Sequence, residues 1–123
     1  MKNSIKLTLL TLMLLVTLVK CKNEYVYHDI KPQLELNVKN QSGEIVTGAL
    51  ITLYLVKNDW SQKVNIIQTL ETDSKGTALF KNLDQRIYYF FVEKGTLNNA
   101  LEVSYFALPL KLNEIRVIQT IVN

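Results

Sequence analysis

Beyond residue 32 the chain alternates apolar and polar positions with a period of two, the signature of strands. Leu34, Leu36 and Val38 alternate with Glu35, Asn37 and Lys39, predicting a first strand. Asn40-Gln41-Ser42-Gly43 predicts the turn that closes it. Residues 49–57 read as a second strand with Ala49, Ile51, Leu53 and Leu55 on one face, and residues 58–61 as a loop. A third strand over 64–71 leads into the turn Asp73-Ser74-Lys75-Gly76, where glycine is free to take positive φ. A short fourth strand covers 77–80. A fifth covers 87–93, rich in the aromatic and β-branched residues that suit a pleated surface. After a loop at 95–99, strands over 101–106 and 114–122 complete the set, with Pro109 at the corner between them. No stretch sustains a helical period. Short strands with a turn every ten or so residues predict a single all-β domain, a seven-stranded β-sandwich.

The first residues break this pattern. Residues 1–6 are short and basic, and residues 7–19 form an apolar run interrupted only by Thr8, Thr11 and Thr17. The run is shorter than the roughly 20 residues needed to span a bilayer and suits the apolar region of a signal peptide. The only cysteine of the 123 residues, Cys21, stands two positions after it. Leu18-Val19-Lys20-Cys21 resembles a bacterial lipobox, with Lys20 where that motif carries a small residue. The resemblance implies a lipoprotein signal peptide over 1–20. It also implies cleavage that leaves Cys21 as the N-terminus, its thiol carrying a diacylglyceryl group with acyl chains such as palmitate, and a tether over 21–32 ahead of the sandwich at 33–123. Each buried CH₂ contributes about 0.8 kcal/mol, so several acyl chains hold a small domain firmly on a membrane. Lys22-Asn23-Glu24 is similar to the short signal that sends lipoproteins of Bacteroidetes to the cell surface. The expected location is the cell envelope, lipid-anchored at the outer membrane.

Charge and composition narrow the partners. Of 14 basic side chains, Lys2, Lys6 and Lys20 lie in the leader, which has no acid. The rest of the chain therefore balances 11 basic against 11 acidic groups. The excess of +3 belongs to the leader, so no nucleic-acid partner is expected. One Cys and one His provide neither a disulfide framework nor a protein-built zinc site, so no metal and no cofactor are expected. Catalysis finds no constellation either. His28 lies in the tether, Glu71 closes a strand, and Asp73 suits a turn in which its carboxylate bonds its own backbone. The chain reads as no enzyme.

Three blocks carry a resemblance that covers roughly residues 34–95. The stretch 38–53 (Val-Lys-Asn-Gln-Ser-Gly-Glu-Ile-Val-Thr-Gly-Ala-Leu-Ile-Thr-Leu) is similar to the opening of carboxypeptidase-regulatory-like domains. The stretch 72–83 (Thr-Asp-Ser-Lys-Gly-Thr-Ala-Leu-Phe-Lys-Asn-Leu) resembles their second block, and Tyr88, Phe90 and Val92 their third. Asp84-Gln85-Arg86 replaces the glycine that usually precedes the Tyr strand. The resemblance implies a prealbumin-like (transthyretin-like) Greek-key sandwich, in which the second and fifth strands share a sheet. It implies fold alone, because the family hosts many unrelated functions. Collagen-adhesin B-type repeats share that fold and often carry a Lys–Asn isopeptide crosslink. Lys39, Asn123 and Glu93 stand near the corresponding places, but alternation puts Lys39 on the polar face.

If Tyr88, Phe90 and Val92 point inward, Ile87, Tyr89 and Phe91 point outward. Inward Ile51, Leu53 and Leu55 likewise leave Leu50, Tyr54 and Val56 outside. On one sheet these rows merge into an apolar, aromatic patch, the kind that marks an interaction site. Tyr54, Tyr89 and Phe91 are its expected residues. Trp60, flanked by Asn58, Asp59, Ser61 and Gln62, is a second expected contact. A tether folding Tyr25, Val26 and Tyr27 over the patch, or a register slip of one, would remove it. The expected role is non-covalent: a lipid-anchored module that binds a protein partner or serves envelope assembly. An accessory lipoprotein of a secretion or envelope machine and a surface adhesin or glycan-binding module are the alternatives.

Overall fold

The computed structural model describes residues 25–101, 104–105 and 108–123. The expected signal peptide and Cys21 lie outside the described residues. Among these residues are eight strands and one short helix. The strands are β1 (Gln33–Asn40), β2 (Leu50–Tyr54), β3 (Gln68–Glu71), β4 (Thr77–Phe80), β5 (Tyr89–Lys94), β6 (Leu97–Asn98), β7 (Ser104–Tyr105) and β8 (Ile115–Val122). The helix, α1 (Lys57–Gln62), lies between β2 and β3. The fold is all-β, built of two sheets.

A three-stranded sheet has the order β4-β1-β8, with β1 antiparallel to β4 and parallel to β8. A five-stranded sheet has the order β3-β2-β5-β6, and β7 also pairs with β5. The inward rows follow the alternation read from the sequence. Leu34, Leu36 and Val38 of β1, Ala78 and Phe80 of β4 and Val122 of β8 meet Ile51 and Leu53 of β2 and Phe90 and Val92 of β5 in one buried cluster. Burying a side chain of this size removes it from water at a gain of about 1.5–3 kcal/mol, which makes this cluster the main source of stability.

Local chemistry sets the turns. Asp73 accepts from the N–H groups of Lys75 (2.9 Å) and Thr77 (3.0 Å), which bends the chain from β3 into β4. These bonds hold its carboxyl below the usual carboxylate range. Gly76 completes that turn at φ +71°, and a Cβ there would meet Ile45 Cγ2 at 2.5 Å. The Asp84-Gln85-Arg86 segment closes differently: the Asp84 N–H donates to the hydroxyl of Tyr88, whose ring is core, at 2.9 Å. Asn99 is buried and fills the gap between β6 and β7. Its Oδ1 accepts from the Val92 N–H at 2.8 Å, and its Nδ2 donates to the Phe90 carbonyl at 3.3 Å. A side-chain amide thus completes the hydrogen bonding of β5 where neither short strand reaches.

The structure corrects several expected boundaries. Residues 58–61, expected as a loop, lie within α1. At six residues the helix is too short to print a period on the sequence. The third strand begins at Gln68 because 63–67 form the exposed return from α1. The fifth starts at Tyr89, and of the expected strand over 101–106 the described residues 104 and 105 form β7.

The stretch 25–32 divides in two. Tyr25, Val26 and Tyr27 are exposed and cover nothing in the aromatic region. Ile30 is tied to the β8 end of the body. Its N–H donates to Asn113 Oδ1 at 2.9 Å, and the Asn113 N–H donates to its carbonyl at 2.8 Å.

Lys39, Glu93 and Asn123 do not converge. Lys39 pairs in register with exposed Ile121 on the outer face of the three-stranded sheet. Glu93 alternates with core Val92 and so faces outward from the other sheet. The hydrophobic core separates the two, so this trio is not placed for a crosslink.

Candidate functional site

The second apolar cluster forms where the expected patch was drawn. Alternation does turn Tyr89 and Phe91 of β5 outward, beside Tyr54 and Thr52 of β2; the register pairs Tyr54 with Tyr89 and Thr52 with Phe91. Those rows are not open to solvent. Helix α1 lies across them and packs Trp60 against Phe91, with ring centroids 6.1 Å apart in an edge-on arrangement at 74°. Tyr54, Trp60 and Phe91 are each less than a tenth exposed, and Tyr89 packs against them half-buried. The side chains expected as an interaction surface are therefore mostly the contents of a small core. The chain covers the face with its own helix, not with Tyr25, Val26 and Tyr27. Trp60 does not project as a free contact. Its Nε1 donates to the Phe90 carbonyl at 2.8 Å, which fixes the helix over β5.

Backbone geometry explains why the helix stops where it does. Lys63 adopts the left-handed conformation at φ 57°, the usual end of a helix, and the N–H groups of Lys63 and Val64 both reach the Asp59 carbonyl. The Lys63 side chain then curls back across the aromatic cluster. Its Nζ donates to the Trp60 carbonyl at 2.8 Å and lies 3.4 Å from the centroid of the Phe91 ring. The Trp60 ring is 4.2 Å away and the Tyr54 ring 5.9 Å. An ammonium in this position is attracted by the negative faces of the rings. Burial pushes the Lys63 pKa down, and the Glu93 carboxylate opposes that shift. Burial raises the Tyr54 phenol, and Glu93 raises it further. Asp59 and Asn65 fasten the far side of the loop through a 3.1 Å hydrogen bond.

The other sheet presents a different outer face. Ile115, Val117 and Ile121 of β8 point away from the core, each more than half exposed, with Gln119 between them. Beside them lie Gln33, Glu35, Asn37 and Lys39 of β1. The strand begins at a fixed point: the Glu114 carboxylate accepts from the Lys111 N–H at 2.7 Å and pairs with Arg116 at 2.8 Å. These contacts hold the Glu114 carboxyl below its usual range. Sequence reasoning placed this strand but assigned its outward row no role. The signal was present, since Ile115, Val117 and Ile121 are three large apolar residues on alternate positions.

His28 is exposed, and Asp73 is engaged in its turn. Among the described residues no three His, Cys, Asp or Glu side chains are grouped to hold a metal ion. Among the same residues no helix is long and apolar enough to cross a membrane.

No protein-family model matches the chain, and no curated protein matches it. Among solved structures, one titled "The Bacillus anthracis TIE protein" is similar in fold. It is 20% identical with a TM-score of 0.54, and the match covers 77% of this chain and 16% of that one. At this identity the likeness is one of fold, and the chain spans about a sixth of the length of that protein.

Proposed function

We propose that this chain is a lipid-anchored envelope protein whose β-domain, of the prealbumin-like type, binds a protein partner non-covalently. The observation that carries the binding role is the exposed row Ile115, Val117 and Ile121 on β8. Large apolar side chains aligned on the outer face of a strand are the kind of surface that partners cover. The anchor rests on the leader: an apolar run too short to span a bilayer, followed by the only cysteine, Cys21. The prealbumin-like assignment rests on the three sequence blocks at 38–53, 72–83 and 88–92, and two sheets around one core are compatible with it.

Two measurements test this reading. Intact mass of the membrane-extracted protein should show acyl chains, and Cys21→Ser should remove them; an unmodified Cys21 in the wild type sinks the anchor. In-cell crosslinking should then recover a fixed set of envelope proteins that the variant Ile115→Ser/Val117→Ser/Ile121→Ser loses while staying folded. An unchanged set would remove β8 as the contact. Substituting Phe91 is not a test of binding, because that ring is packed beneath α1.

A further inference from the structure

The Tyr54–Trp60–Phe91 cluster is built around a cation, and its occupant is not part of the sheet. Lys63 is exposed as a residue, whereas the rings beneath it are less than a tenth exposed. Its side chain thus shares with α1 the cover over the rings. It stands at the end of α1 and leads into residues 64–67, all exposed, so a rotation of the side chain outward meets open solvent. Such a rotation would uncover part of the Phe91 face, where Nζ stands 3.4 Å from the centroid, and leave the carbonyl of Trp60 beside it, with Glu93 two residues further along the same outward row of β5. Aromatic faces beside one negative charge suit a positive, weakly hydrated group.

We propose that Tyr54, Trp60 and Phe91 form a cation-accepting aromatic cage in which Lys63 is a displaceable resident, and that the ligand is a trimethylammonium group. A quaternary ammonium needs no hydrogen bonds and gives up its hydration more readily than the primary ammonium of Lys63. Its methyl groups make dispersion contact with ring faces while its charge meets their quadrupoles. Glu93 supplies long-range attraction for any cation entering from the α1 side. The site lies on the sheet opposite β8 and stands or falls independently of the binding role assigned to that strand.

Trp60 is the only tryptophan in the chain, so intrinsic fluorescence reports on the cage directly. The full-length protein in detergent is titrated with choline and, separately, with its neutral isostere 3,3-dimethylbutan-1-ol. Choline is expected to change Trp60 emission saturably, and the neutral alcohol about tenfold more weakly. Lys63→Ala removes the internal competitor and should tighten choline binding about tenfold, while Glu93→Gln should weaken it several-fold. Both substitutions are at exposed positions, and the circular dichroism of each variant checks that it remains folded. An equal response to choline and the neutral alcohol overturns the proposal, as does a Lys63→Ala variant that binds choline no better than wild type. Vesicles of phosphatidylcholine compared with phosphatidylglycerol separate the sources of the group. An emission change with the former alone assigns a lipid headgroup, and a response confined to free choline assigns a small solute.

Discussion

The two outer faces of the molecule start from similar sequence and end differently. On the five-stranded sheet, the outward positions of β2 and β5 include Tyr54, Tyr89 and Phe91, and a six-residue helix inserted after β2 buries Tyr54 and Phe91 and half-buries Tyr89. On the three-stranded sheet, the outward positions of β8 are Ile115, Val117, Gln119 and Ile121, and the apolar ones stay more than half exposed. The difference lies in what the chain does between strands. The segment joining β2 to β3 returns across the sheet and carries Trp60 with it, while the three-stranded sheet has no such cover among the described residues. An apolar outward row therefore marks a binding face only when no connection of the same chain crosses it. That is why β8 now carries the proposed contact and the aromatic row does not.

The sharpest way to break this contrast is to remove the cover. Trp60→Ala deletes a buried indole and its hydrogen bond to Phe90, and should cost about 3–5 kcal/mol in urea-induced unfolding. A loss below about 1 kcal/mol, the usual range of an exposed site, would mean that α1 is not packed as described.

The faces should also differ in their response to pH. Tyr54 has a raised pKa in the fold, so the folded state favours the neutral phenol. Its contribution is full below the ordinary tyrosine value near 10 and is lost as pH rises through the higher folded value. Unfolding measured from pH 9 to 11.5 should show stability falling, and Tyr54→Phe should flatten the curve. At the other end of the scale, Glu114 has a lowered pKa because the Lys111 N–H and Arg116 hold its carboxylate. The stability it confers on the start of β8 is present above the ordinary glutamate range and is lost as pH falls through the folded value. Hydrogen exchange of the β8 amides should rise on acidification relative to those of β2, and Glu114→Gln should abolish that difference. An identical acid response in the variant would contradict the assignment.

The smallest effect is expected where the outer row is open. Val117→Thr keeps the β-branched shape and should change stability by no more than about 0.5 kcal/mol. A loss of several times that value would show that the β8 face is covered in the folded protein, and the contrast between the sheets would disappear.

Much of the fold was legible because strands with one buried face write their register into the sequence. Leu34, Leu36 and Val38, then Ile51 and Leu53, then Phe90 and Val92, all face inward as their alternation requires. The turn at Asp73–Gly76 was equally readable, because its carboxylate and its glycine each answer a local backbone demand. The aromatic site was legible only in part. Its outward residues follow from alternation, but α1 lies where the pattern predicts a loop, and Lys63 carries no signal in the sequence. Six residues are too few to show a helical period, and the position of a lysine ammonium over three rings follows from the path of the chain in space.

Sequence alone determined the all-β character, the inward rows and the turns, because each depends on interactions within or between short neighbouring segments. Tertiary structure decided which outward row is buried. It brought Trp60 over Phe91, set Lys63 above both, and left Ile115, Val117 and Ile121 uncovered. The physical reason is that period-two patterning records which side of a strand a residue takes, whereas burial of the outer side depends on a helix arriving from elsewhere in the chain.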